Sequence, residues 1–100
     1  MNWVWTWSGK FFGYIENQRL RTFAGEHIAN LEGDELYDEN RNYIGEIRNE
    51  NRLIVNDNKN AKTSKGFIPA NDQTEKTEHQ DRTELTEIPR HSDFTSINSF

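Results

Sequence analysis

The sequence predicts an all-β protein: a small repeat of two-strand units, about 16 residues each, arranged around an axis, followed by a largely disordered acidic tail. Three observations predict it. A phrase of the form apolar, small, polar, apolar, charged occurs as Phe12-Gly13-Tyr14-Ile15-Glu16, Ile28-Ala29-Asn30-Leu31-Glu32 and Ile44-Gly45-Glu46-Ile47-Arg48. Turn-forming residues interrupt the first half of the chain about every eight residues, the rhythm of short antiparallel strands. No stretch of that half shows a helical period, and a fixed self-similarity marks a repeat architecture.

The elements follow in order. Trp3, Trp5 and Trp7 alternate with Val4 and Thr6, a strand with one aromatic face, before the turn Ser8-Gly9-Lys10. Phe11 to Glu16 is the second strand, and Asn17-Gln18 returns it into Arg19 to Phe23, where Leu20 alternates with arginines. Ala24-Gly25-Glu26 repeats the first turn, His27 to Glu32 repeats the second strand, and Gly33-Asp34 leads into Glu35 to Asp38. Tyr43 to Arg48 and Arg52 to Val55 complete seven strands, with an extra residue in Asn49-Glu50-Asn51 that predicts a bulge or a longer hairpin loop. Gly13, Ala29 and Gly45 hold one structural position of the repeat, where a small residue suits a bend or a close backbone approach. Four first halves are visible and only three second halves. Thr63 to Ile68, after a polar linker, offers a weak copy of the missing one.

Composition divides the chain at residue 68. Residues 1–68 hold 26 of the 32 apolar residues and carry 9 Lys and Arg against 10 Asp and Glu. Residues 69–100 hold the other 6, with 3 basic against 7 acidic side chains, so most of the net charge of -5 lies there. The expected organisation is a β-repeat domain over 1–68 and a polar acidic tail over 69–100, mostly disordered because it has little to bury. Phe94, Ile97 and Phe100 restore some apolar content near the end. Removing residues 70–100 is then expected to leave the melting transition nearly unchanged.

The residues Thr6-Trp7-Ser8-Gly9-Lys10-Phe11-Phe12-Gly13-Tyr14-Ile15, Ala24-Gly25-Glu26-His27-Ile28, Gly33-Asp34-Glu35-Leu36-Tyr37, Tyr43-Ile44-Gly45-Glu46-Ile47 and Arg52-Leu53-Ile54 together carry a resemblance. Over residues 3–69 the chain resembles the bacterial four-fold β-flower proteins, with Gly66-Phe67-Ile68-Pro69 also fitting the pattern. The resemblance implies a small β domain with pseudo-four-fold repeats, and it implies no activity, ligand or catalytic residue. Ala29 departs from the usual glycine, which argues against a positive φ at that corner.

The chemistry-bearing residues give no catalytic constellation. With no cysteine, disulfides and thiolate metal sites are excluded. His27 stands where the other units place Phe11 and Tyr43, which predicts a packing role with its polar edge satisfied. His79 and His91 lack a companion at metal-ligand spacing, so neither a metal nor a cofactor is expected. Glu32, Asp34, Glu35, Asp38 and Glu39 fall in turn signals, where acidic residues have a backbone reason to be present. A net charge of -5 removes the electrostatic term that dominates nucleic-acid affinity. No apolar run approaches the roughly 20 residues of a membrane span, and the N-terminus lacks the regions of a signal peptide, so the expected location is the cytoplasm.

Trp3, Trp5 and Trp7 are the candidate interaction face, set against the alternative that they fill the centre of a small domain without staples. Self-association reconciles the two. The expected function is therefore a non-catalytic module that binds another protein or a second copy of itself. The alternatives are an acidic inhibitor mimicking nucleic acid, and a small-molecule or enzymatic role at the repeat axis.

Overall fold

In the structure, a computed structural model that describes residues 1–72, 75–76 and 78–94, the chain is all-β. The strands are β1 (Asn2–Thr6), β2 (Phe11–Glu16), β3 (Arg19–Thr22), β4 (His27–Glu32), β5 (Glu35–Tyr37), β6 (Tyr43–Arg48), β7 (Arg52–Asn56) and β8 (His91–Asp93), with one 3-10 turn at Asp57–Lys59. The first seven form an antiparallel meander in chain order, and β1 pairs with β7 to close it into a barrel. Six antiparallel steps leave the first and last strands running the same way, so the seam is parallel, with Trp5 opposite Arg52 and Thr6 opposite Leu53. Closure removes the open edges that a short meander would otherwise present.

The register explains the repeated phrase. Trp5 pairs with Phe11 and Val4 with Gly13, leaving Phe12 as an extra residue on β2. The same step leaves Ile28 extra between the pairs Arg21–His27 and Leu20–Ala29, and Ile44 extra between Tyr37–Tyr43 and Leu36–Gly45. Each unit thus carries a β-bulge, which bends the strand and sharpens its twist. At the bulge two successive residues face the core, a large one and then a small one. Ile28 and Ala29 both belong to the central cluster with Val4, Phe12, Leu20, Leu36 and Leu53. Val4, Leu20, Leu36 and Leu53, one from each first half, are all at 0% exposure and form the middle of the barrel.

Gly13 is small because β3 leaves no room: a Cβ there would overlap the Arg21 carbonyl oxygen and the backbone of Thr22 and Phe23. At Gly45 a Cβ would press on the Phe94 ring at 2.8 Å and on the Ile54 carbonyl oxygen at 3.0 Å. The extra residue at Asn49–Asn51 is absorbed as a three-residue hairpin loop, with Asn49 and Glu50 at φ 52° and 71°, so the bulges lie elsewhere in the repeat.

The missing second half is not Thr63 to Ile68. Thr63 makes one isolated bridge to Asn42, and the strand that pairs with the end of β7 is β8, through Asn56–His91, Val55–Ser92 and Ile54–Asp93. Because Ile54 also pairs with Glu46 of β6, β8 lies on the edge of β7 that β1 uses lower down. Phe94 then stands where Phe12, Ile28 and Ile44 stand in the other units. It is buried and meets Phe12 edge-on at 5.2 Å. The fourth unit is a hairpin like the others, with residues 57–90 inserted where the first has a four-residue turn.

The polar tail expected from residue 69 onward divides here. Residues 95–100, with Ile97 and Phe100, lie outside the described residues, whereas the described residues up to Phe94 are laid along the barrel. A truncation near residue 69 therefore removes a core side chain, which corrects the expectation that it would be neutral.

Candidate functional site: an aromatic belt under an extended strap

Each bulge turns one ring outward, Phe11, His27 and Tyr43, opposite Trp5, Arg21 and Tyr37 of the preceding strand. These positions make a belt around the outside of the barrel. Bulges also leave ladder groups unpaired, and the inserted segment uses them. We call residues 57–90 the strap. It passes the units in the order three, two, one and four, completing one lap of the barrel before entering β8.

On the third unit Lys59 Nζ donates to Glu35 at 2.7 Å and to Glu46 at 3.0 Å, and the Tyr43 N–H donates to the Lys62 carbonyl at 3.1 Å. Glu46 is buried. Burial pushes its carboxyl pKa up, but the Tyr43 hydroxyl, Lys59 and Arg48 outweigh that and hold it below the ordinary range. Tyr43 Oη, which donates to Glu46, also accepts from the Asn56 N–H at 2.9 Å, tying the strap's origin to β6. Hydrogen bonds from Lys59 and Lys62 hold the Glu35 carboxyl down to about 2. A depressed carboxyl contributes stability above its unfolded value and loses it on acidification. Stability should therefore fall as pH drops from 4.5 towards 2, and Glu35→Gln should flatten that limb of a pH-dependent urea titration.

On the second unit Phe67 stacks on His27 at 4.4 Å, and the Ala70 N–H donates to His27 Nδ1 at 3.0 Å. An Nδ1 that accepts fixes the tautomer, so Nε2–H donates to Asn30 Oδ1 at 2.7 Å. Burial lowers the His27 pKa, and Arg19 and Arg21 lower it further. The polar edge of this histidine is thus fully used, as its place among Phe11 and Tyr43 suggested. Asp72 pairs with Arg21 at 3.0 Å.

The first unit carries the candidate face. Trp5 and Trp7 are buried and Trp3 is half-buried. Trp5 Nε1–H donates to the Gln80 carbonyl and Trp7 Nε1–H to the Thr86 carbonyl, both at 2.8 Å. His79 lies 4.3 Å from the Trp3 ring and 5.2 Å from Phe11. Asp81 Oδ1 accepts from the Phe11 N–H at 2.9 Å, and the Arg82 guanidinium sits 3.7 Å over the Trp5 ring. The Arg82 N–H donates to the Gly9 carbonyl at 2.7 Å. Gly9 holds φ 101° in the turn, and a Cβ there would overlap the Arg82 carbonyl, so only glycine lets the strap cross. At the seam Arg52 Nη2 donates to the Thr83 carbonyl at 2.9 Å and the Leu85 N–H to the Trp7 carbonyl at 3.1 Å.

The structure therefore brings Trp3, Trp5 and Trp7 together under residues 79–86 of the same chain. Gly13, Ala29 and Gly45 lie beneath, as packing positions. His79, Gln80, Asp81, Arg82 and Phe94 were not singled out for these contacts by sequence. What the belt does chemically is hold an extended polypeptide, largely by its main-chain carbonyls.

A depression of about 230 Å³ opens at the end of the barrel axis. Its walls are Val4, Ile15, Leu31 and Ile47, and Gln18, Asp34 and Glu50 of the hairpin turns reach its rim. Among the described residues no three His, Asp or Glu side chains converge as metal ligands, and no helix is long and apolar enough to cross a membrane. No family model, curated protein or solved structure matches the chain.

Proposed function

We propose that this protein is a non-catalytic polypeptide-binding module, cytoplasmic, that engages a protein partner or a second copy of itself through the aromatic belt. One observation carries the reading: the belt already holds a polypeptide. Indoles, a guanidinium and bulge N–H groups receive the strap along its main chain, and this mode of recognition depends on extended backbone with a few anchoring side chains. The bulge-and-hairpin unit, recurring about one axis, also supports reading the chain as a relative of the four-fold β-flower proteins.

The test is to loosen the strap where it crosses Trp5. An Asp81→Ala/Arg82→Ala variant should either self-associate in light scattering or take up a synthetic peptide of residues 78–87 more tightly than the unaltered chain does. A variant that stays monomeric and ignores the peptide at millimolar concentration would overturn the reading.

A further inference from the structure

We infer that the strap is closed by a pair of histidine clasps and opens on mild acidification, exposing the tryptophan face; this inference rests on the belt being a protein-binding surface. All three histidines of the chain lie at strap contacts: His27 under Phe67 and Ala70, His79 over Trp3, and His91 where the strap enters β8.

Two of them are held in hydrogen bonds that only a neutral ring can make. His27 Nδ1 accepts from the Ala70 N–H at 3.0 Å. His91 Nε2 lies 3.0 Å from Arg48 Nη2, and a guanidinium only donates, so this nitrogen accepts. His91 Nδ1 lies 2.9 Å from the Pro89 carbonyl, which only accepts, so the proton is on Nδ1. A second proton on either ring sets a donor against a donor. At His27 it also places a cation beside Arg19 and Arg21 of β3, with Glu26 adjacent and Asp38 and Glu39 across a small cleft. At His91 it places one against Arg48, whose charge is shared with Glu46 of β6; Arg90 precedes it, and Asp57 lies near through Ser92.

The two clasps bracket the segment that covers the tryptophans. His27 fixes residues 67–70, His91 fixes the exit after residue 89, and Trp5 and Trp7 are bonded to residues 80 and 86 between them. His79 stands between the two clasps over the Trp3 indole, with ring centroids 4.3 Å apart. The sign for His27 follows from its lowered value: the docked strap is fully favoured above 6.5 and loses that contribution as pH falls below it.

The experiment follows tryptophan emission, far-UV circular dichroism and the Ala70 amide by NMR from pH 7.5 to 5.0. The expected result is a reversible red shift of emission and loss of Ala70 amide protection, with the strand signal kept. The transition should vanish in a His27→Phe/His91→Gln variant, because phenylalanine is what the first unit already uses at that position. An emission and an Ala70 amide that stay constant in the unaltered chain overturn the inference, whether or not the variant folds. So does a folded variant that keeps the transition. Uptake of the 78–87 peptide is measured alongside. If the clasps open and neither the acidified chain nor Asp81→Ala/Arg82→Ala binds or associates, the belt is not a binding surface and the clasp stands. If the loosened variant binds at pH 7.5 while acid changes nothing, the clasp fails and the binding function stands.

Discussion

A chain ending at Pro69 melts at least ~15 °C below the full chain, or shows no cooperative transition. The reason is Phe94, which fills the bulge position of the fourth unit against Phe12 and over Gly45. Losing a buried phenylalanine costs about 3–5 kcal/mol, and a domain of this size loses about 4–8 °C per kcal/mol. The truncation also removes the carbonyls that receive the Trp5 and Trp7 indoles, and a buried donor without a partner costs about 1–3 kcal/mol. Phe94→Ala in the full chain separates the core term from the strap term and should account for most of the loss. A truncated chain that melts within a few degrees of the whole would mean that the barrel is held by its first seven strands alone.

Gly13→Ala is the second large effect, at least ~2 kcal/mol in denaturant unfolding, because the new methyl meets backbone that cannot step aside. Gly45→Ala should cost less, since part of what it meets is the edge of the Phe94 ring. Gly33→Ala is the control. It has open space around a would-be Cβ and φ 64°, so only the backbone preference is lost, about 1 kcal/mol. If all three proved equal, the small residue would be answering a turn preference and not the pinch of β2 against β3.

The seven barrel strands were legible because each unit announces itself twice, by an alternating apolar pattern and by a turn. The structure places β2, β4 and β6 on the residues that carry the repeated phrase. The order large-then-small within the phrase was legible as a close approach, but its cause, a bulge that turns two neighbours inward, depends on register between strands. Phe94 shows a different failure. Its phrase, Phe94-Thr95-Ser96, follows Ile44-Gly45-Glu46 after fifty residues instead of sixteen, so a reading by period passes over it and finds only the weak copy at Thr63 to Ile68. The strap was illegible for a physical reason. Its anchors on Trp5, Trp7 and Arg52 are main-chain carbonyls of Gln80, Thr86 and Thr83, which every residue supplies, so composition carries no trace of them. Low apolar content predicts few buried side chains. It does not predict where donors on a neighbouring surface will find acceptors.

The parallel seam between β1 and β7 has a consequence for how the molecule comes into being. Trp5 N–H and Trp7 N–H bond to the carbonyls of Asn51 and Leu53, so during synthesis β1 has to wait for partners some 45 residues behind it. It waits longer still for the strap, which crosses the seam and brings Phe94 home last. Hairpins of neighbouring strands form quickly, whereas contacts of high sequence separation set the pace of folding. The nascent barrel therefore carries three uncovered indoles until residues 79–86 have been made, and tryptophan burial should be the slowest phase in refolding. A hoop that is fitted last is also the first thing that has to come off.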